Sequence, residues 1–591
     1  MIGGDNILKS SEPAHFLLIS RSILVKLGTL PSGDEQEINL DMLNNIRTIV
    51  RSAVAAVMKN TRVDVHVRQG KLRGIVEENV HGGYFTAFRG IPYAQPPVGE
   101  LRFRDPQPAE PWDGVRDASK FGQAPLQVNL FTRQLDGSED CLYLNVYTTD
   151  VEPTSGKRPV MVWLYGGSYT NGSGDDFMYG PDHIVRKDVV LVTLNYRLGA
   201  FGFLNLGNDV AGGNQGLKDT IMALQWVRDN ISNFGGDPEN VTLFGESVGA
   251  AIAHYLTMNP LADGLYHKMI MQSGTMLCQW ALAIPGLPFK KALQLTEKLG
   301  KQTTDLREAG EFLKTVDANT ILNVSQTLLS TYENRQFLLS FLPDEDFRSP
   351  NPFFSEKPLV LARRGIKVPL LLGYTSNEGS FFTRNLSDKA VQMVNSNFEN
   401  TVPSRIMADL RKKSITAEDI RYLYFGNKSL TKETLKHYTD YISDLLFYRP
   451  IQELANIQMQ IGHDSTYLYK FSYDNRECLL KKMMNITDRG VTHVQELFYL
   501  FYPYVMKQFD IPPYALDSED YKTTDRFTQM WTDFAKTGNP TPAVTDLIPT
   551  VWEPLQAGQM YNYLDIDKEL QMKIDRKGEQ RCDWEKIKSK L

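Results

Sequence analysis

The alternation of apolar and polar positions changes character near residue 60. Before it, "LPSGDEQEINLD" is polar. "MLNNIRTIVRSAVAAVMKN" then repeats apolar residues at helical spacing, with Met42, Ile46, Ile49, Val50, Ala53 and Val57 on one face. That spacing predicts an amphipathic helix over about 42–59. Arg47, Arg51 and Lys59 flank its apolar face. Two readings stand: a helix packed on the main domain, or one lying in a membrane interface. From about 62 onward, short apolar runs alternate with helical ones. "PVMVWLYGG" (159–167) and "DVVLVTLNY" (188–196) are continuous and rich in β-branched residues, as strands buried on both faces are. "GLKDTIMALQWVRDNISNFGG" (216–236) has helical period and stops on a glycine pair. "NVTLF" and "VPLLLGY" (368–374) read as strands again. This order predicts a mostly parallel central sheet with helices on both faces. No internal repeat or Gly/Ser linker divides the rest, so residues 61–591 read as one large α/β domain with long insertions. Residues 1–60 are its N-terminal extension.

One junction in that pattern carries chemistry. The strand Val241–Phe244 runs into Gly245-Glu246-Ser247-Val248-Gly249, and the small-residue helix "AAIAHYLTM" follows. A Gly-x-Ser-x-Gly string should arise by chance about 0.2 times in a chain this long, so the strand-to-helix context decides its weight. A serine on such a turn is strained and exposed, and the glycines relieve crowding against neighbouring strands. A hydroxyl is a weak nucleophile at its free pKa and needs a base oriented by an acid. In folds with this turn, acid and then histidine follow the serine. His254 lies about two turns down the helix and cannot reach back. His437 sits in the helical string "LKHYTDYI", and His463 precedes the strand "STYLYKF". His493, in "DRGVTHVQELFYLF", follows a glycine-containing loop and precedes an expected amphipathic helix, which makes it the candidate base. Glu378, in "LLLGYTSNEGSFF", comes directly after an apolar strand and before a glycine, and is the best placed acid.

Composition removes rival classes. The net charge of -6 argues against a nucleic-acid binder, which needs a concentrated basic surface. The nine histidines and four cysteines show no metal-ligand spacing, and no cofactor motif is evident. Cys141, Cys278, Cys478 and Cys582 are few and far apart, and a 67.1 kDa chain does not need disulfides. The apolar piece "FLLISRSILVKLG" starts late and contains Arg21 and Lys26, so a signal peptide is not expected; nor is a spanning helix. A cytoplasmic protein, with membrane contact at most through residues 42–59, is the expectation.

The strings "FRGIPYAQPPVGELRF", "PWDGV", "GSEDCLYLNVY", "NYRLGAFGF", "NFGGDPENVTLFGESVGA", "QSG", "GYTSNEG", "GVTHVQEL" and "FAKTGNP" together resemble the type B carboxylesterase/lipase family. They cover most of residues 62–555 in the family's order. "GSEDCLYL", "MYGPD" and "KDVVLVT" give the nearest likeness to insect α-esterases. The resemblance implies an α/β-hydrolase fold with Ser247 as nucleophile, Glu378 as acid and His493 as base. It also implies an oxyanion hole built by the backbone of Gly167, Ser168 and Val248.

Two departures from the family pattern matter. The family's glycine triplet is "YGGS" here, so Ser168 occupies a glycine position, and Val248 replaces a more usual alanine. Donors to a developing oxyanion are worth about 100-fold each in rate, so the backbone at Ser168 must keep its N–H in place. Secreted family members bridge the position of Cys141 to an earlier cysteine, which is missing from "APLQVNLFTRQLDGSEDC"; a free thiol is expected. The loop from Trp112 to Cys141 also lacks the tryptophan with which cholinesterases hold choline. The expected activity is hydrolysis of small, uncharged, apolar esters, with detoxification as a role by analogy. The alternative is an impaired or non-catalytic adhesion protein on the same fold, since neuroligins resemble the chain at "GGSY". Those proteins lack the serine and need a secretory signal and a spanning helix.

Overall fold

The apolar runs form a 13-stranded mixed sheet in the computed structural model, which describes residues 61–591 apart from 131, 331, 332, 334–336, 510 and 591. The helix expected over 42–59 lies outside the described residues. The first strands are β1 (Arg62–Val67), β2 (Gly70–Glu78), β3 (Tyr84–Pro92) and β4 (Val115–Asp117); β5 (Gln127–Val128) and β6 (Leu135–Asp136) make a separate ribbon. Next come β7 (Tyr143–Thr148), β8 (Arg158–Leu164), β9 (Val190–Leu194), β10 (Gly236–Glu246) and β11 (Lys268–Gln272). The last are β12 (Leu370–Thr375), β13 (Thr466–Phe471), β14 (Met560–Ile566) and β15 (Leu570–Arg576).

Across the sheet the order is β1-β2-β3-β7-β9-β8-β10-β11-β12-β13-β14-β15, with β4 beside β2. Pairing is parallel without a break from β9 through β8, β10, β11, β12 and β13 to β14. Antiparallel pairs hold the flanks. The parallel centre is the buried part: all five residues of β9 are inaccessible, as is β8 from Val160 to Leu164. That is why these strands carry no polar face to alternate.

The helices that matter for the site are α1 (Gln215–Asn230), α2 (Val248–Leu256), α3 (Arg449–Gln460) and α4 (Glu519–Thr537). Side chains of a strand alternate between faces. Tyr467, Tyr469 and Phe471 of β13 meet Phe527, Trp531 and Phe534 of α4, whereas Thr466 is held by Gln458 of α3. The two helices therefore cover opposite faces. β10 begins earlier than its apolar string suggests, because Gly236 already pairs with Arg158 of β8.

The topology fixes where a site can form. β9 lies on one side of β8 and β10 on the other, so the chain reverses its direction of winding between β8 and β10. The crevice at their carboxyl ends is a topological switch point, where loops part and ligands enter. The 165–170 loop after β8 and the turn at Ser247 after β10 face each other there.

Candidate active site

Ser247 has φ 56° and ψ -120°, a backbone conformation that an L-residue adopts only under constraint. Its N–H donates to the Gln272 carbonyl at 2.8 Å, and α2 starts at the next residue. The neighbouring glycines are steric necessities. A Cβ on Gly249 would fall 1.9 Å from the Leu164 carbonyl, and one on Gly274 would fall 2.1 Å from the Ser247 carbonyl.

The loop after β8 folds over this turn. A Cβ on Gly166 would come 3.1 Å from the Ser247 Cβ. Gly167 has φ 117° and a Cβ there would strike the Asn171 carbonyl, so this position demands glycine. Ser168 and Tyr169 follow with φ 56° and 58°. The serine in the family's glycine position thus takes the left-handed conformation, at a cost of about 1 kcal/mol, and keeps its N–H. Among the described residues the N–H groups of Gly167 and Ser168 donate to no other group. Val248 is the first residue of α2, where the N–H has no intrahelical acceptor.

Glu378 and His493 meet behind the serine. His493 Nδ1 lies 2.6 Å from Glu378 Oε2. The other oxygen, Oε1, accepts from the Ser273 hydroxyl at 2.5 Å and the Thr375 N–H at 2.8 Å, so the carboxylate cannot rotate away. The two loops are laced together: Asn377 N–H donates to the Val491 carbonyl, Val491 N–H to Ser376 Oγ, and Asn377 Nδ2 to the Arg489 carbonyl. Phe381, Phe382 and Phe447 pack around the imidazole, with ring centroids 5.9, 5.5 and 4.6 Å away. The segment after His493 differs from expectation. It is a 3-10 turn, Gln495–Tyr499, and all five residues, the polar Gln495 and Glu496 included, are buried, so no solvent-facing side is left for an amphipathic helix.

Two carboxyl groups near the base were not foreseen from the sequence. Glu246, the residue before the serine, places Oε1 3.1 Å from His493 Nε2. Glu496 accepts from Gln272 Nε2 at 3.2 Å, and Gln272 accepts from Trp531 Nε1. Glu246 Oε1 is close to Nε2 but not aligned for a hydrogen bond, and Glu496 Oε2 has no hydrogen-bond partner among the described residues. Burial, reinforced by the Glu378 charge, pushes the Glu246 carboxyl well above the usual range. Burial does the same to Glu496, aided by Glu246 and Glu378 and opposed by His493. The signal for Glu246 was its place beside the nucleophile. Glu496 gave none, since a lone glutamate usually marks solvent. Ser273 stands in the string "QSG" that carries the family resemblance, but nothing local ties it to Glu378.

The other histidines lie apart from this cluster. His254 is buried in α2 and burial drops its imidazole to about 3. His463 faces the Lys367 carbonyl, and His437 packs on Phe425. Among the described residues Ser247 Oγ makes no hydrogen bond, although the Glu246–His493 contact places the imidazole next to the serine turn. Such bonds are often long before substrate binds.

In front of the serine lies a cavity of about 190 Å³. Ser168, Ser247 and Val248 form its floor; Trp280, Leu329, Leu338, Leu339, Phe337, Phe382, Leu446 and Phe447 form its walls. Among the described residues no charged side chain lines it. The Trp280 indole ties two walls together by donating to the Leu446 carbonyl at 3.2 Å. Geometrically, the site offers a half-exposed hydroxyl, an imidazole fixed by a carboxylate, free backbone donors and an apolar chamber.

Known proteins place this arrangement. The model of the carboxylesterase family matches residues 61–584. The chain is similar to the juvenile hormone esterase of Heliothis virescens, at 32% identity over 530 residues, covering 86% of this chain and 91% of that protein. It is 33% identical over 534 residues to the para-nitrobenzyl esterase of Bacillus subtilis (strain 168), covering 88% and 97%. A crystal structure of juvenile hormone esterase from Manduca sexta, with OTFP covalently attached, superposes with a TM-score of 0.79 at 29% identity, covering 90% of this chain and 99% of that one.

Proposed function

As the chain belongs to the carboxylesterase family and is a carboxylic ester hydrolase of α/β-hydrolase fold, we propose that it cleaves small, uncharged, apolar esters through an acyl-enzyme on Ser247. His493 takes the hydroxyl proton as Ser247 Oγ attacks the ester carbonyl, and Glu378 holds the imidazole through Nδ1. The N–H groups of Gly167, Ser168 and Val248 receive the negative charge that develops on the carbonyl oxygen. His493 returns the proton to the departing alcohol, then activates water to release the acid.

The observation that supports this most is the 2.6 Å contact between His493 and a doubly anchored Glu378, next to a serine held at positive φ. The uncharged apolar chamber supports the substrate class. Juvenile hormone, named for two of the relatives, belongs in the substrate panel beside xenobiotic esters, whose removal is the proposed role.

The test is a burst of p-nitrophenol from a short-chain ester, equal to the enzyme concentration and lost in Ser247→Ala. A wild-type protein without a burst overturns the acyl-enzyme. Diethyl phosphate labelling should fall on the peptide that contains Ser247. A reducing, intracellular setting is supported by four buried and unpaired cysteines. Contact of residues 42–59 with a membrane is proposed from their amphipathic spacing alone, and unchanged liposome association after Arg47→Glu with Arg51→Glu would remove it.

A further inference from the structure

A second hollow lies beyond the catalytic cavity, and its chemistry is unrelated to ester cleavage. Its volume is about 720 Å³. Five elements wall it: the short helix Pro358–Ala362, the helix Ser404–Arg411, α3, the β14–β15 pair and the terminal 3-10 turn Trp584–Ser589. Lys412 pairs with Asp409 at 2.8 Å and Lys413 pairs with Glu585, so these charges cancel. Arg363, Arg405, Arg449, Lys577 and Lys586 remain, facing only Glu453 and Asp583.

Among the described residues none of the remaining cations has an ion-pair partner. Arg363 and Arg405 have no hydrogen-bond or ion-pair partner among the described residues. Arg449 donates only to the Cys582 carbonyl and lies over Trp584, 4.3 Å from the ring centroid. The Lys577 ammonium faces the Tyr561 ring at 5.3 Å. Arg363, Arg405, Arg449 and Glu453 all line this one hollow, and the three guanidinium groups act electrostatically on the same carboxylate, opposing the rise that desolvation and Glu585 give it. A concave surface with surplus positive charge concentrates its field inward. Guanidinium groups grip the oxygens of carboxylates and phosphates in pairs. Leu359 and Ile406, both half-buried, add apolar surface beside them.

We propose that this groove is a binding site for an amphipathic organic anion, its carboxylate or phosphate head held by Arg363, Arg405 and Arg449 and its apolar stem laid against Leu359 and Ile406. Glu453 limits the affinity by its negative charge. Calorimetric titration with monomeric decyl phosphate tests this, with decyl maltoside as the neutral counterpart and inorganic phosphate as the head alone. Decyl phosphate should bind, the maltoside should not compete with it, and phosphate should compete weakly. At surface dielectric each lost charge contact is worth about fivefold, so Arg363→Ala with Arg405→Ala should weaken binding roughly 25-fold. Glu453→Gln should tighten it about fivefold, and added salt should weaken it. Thermal unfolding checks that the variants fold. Binding that ignores the double substitution, or that weakens in Glu453→Gln, overturns the proposal.

Discussion

The cavity at Ser247 and the groove at Glu453 share a wall: Leu446 and Phe447 face the first, Leu445 the second. They treat charge in opposite ways. Behind the cavity's reactive surface the carboxyl groups of Glu246, Glu378 and Glu496 are buried around one imidazole. In the groove the charges line the open surface itself. A charge in a low-dielectric interior acts strongly over a few ångströms, whereas one facing water is screened and is useful mainly to a ligand that displaces that water. The same residue types therefore tune a reaction on one side of the wall and attract a partner on the other.

The sharpest way to break the catalytic side is to move its turn. Gly249→Ala puts a methyl group 1.9 Å from the Leu164 carbonyl, so α2 must shift away from β8 and carry Val248 and Ser247 with it. A misplacement near 1 Å costs on the order of 100-fold in rate. We expect kcat/KM for p-nitrophenyl butyrate to fall by about that factor or more, with a lowered unfolding midpoint. Activity within a few-fold of wild type would mean that the turn does not set the geometry.

How far the sequence reached follows from how local each signal is. Ser247 announces itself because strand, strained turn and helix are contiguous. Glu378 and His493 are legible more weakly, as polar residues at loops after apolar runs. Ser168 could be identified as an oddity, but its φ of 56° is set by contacts across the 165–172 loop. Glu496 was invisible because its burial depends on Gln272, which is 224 residues away in the chain. The groove is the extreme case, since its arginines come from separate helices and its unpaired lysines, Lys577 and Lys586, from the last segment. Long-range packing decides both, and no local period reports it.

Glu246 gives the next largest effect, and it separates charge from shape. A carboxylate 3.1 Å from His493 Nε2 favours the imidazolium that forms when the serine proton is taken. Its carboxyl titrates well above the usual range, so at low pH it is protonated and resembles an amide. Glu246→Gln should therefore be nearly silent in kcat/KM at acid pH. Its deficit should grow to about tenfold as pH rises through the raised value, a size typical of one nearby charge. The ratio of the two pH–rate profiles checks this; a constant ratio would assign Glu246 a purely steric role.

Glu496 tests the same burial through stability. Its folded pKa is raised, so its contribution is fully present below the unfolded value near about 4.3 and is lost as pH rises through the folded one. Glu496→Gln removes the ionisation but still presents an oxygen to Gln272. The unfolding midpoint of the variant should match wild type at about pH 4 and exceed it by a few degrees near pH 8. A gain that is equal at both pH values would show that packing, not charge, is responsible.

The smallest effect belongs to the groove rim and is the counterweight to Glu246. Lys412 and Asp409 form an ion pair at 2.8 Å, yet their side chains are 75% and 71% exposed. A pair in that position is screened by water and salt, and ordering two mobile side chains offsets most of its attraction. Asp409→Asn should shift the unfolding midpoint by less than about 1 °C at moderate salt, too little to separate from wild type. It should still tighten decyl phosphate binding in the groove, because Lys412 then joins the surplus cations, and by less than Glu453→Gln does, since Arg363, Arg405 and Arg449 all act on Glu453 whereas Asp409 is paired with Lys412. A midpoint change of several degrees would mean that the rim is not in the screened regime, and the contrast drawn between the two sides of the wall would have to be given up.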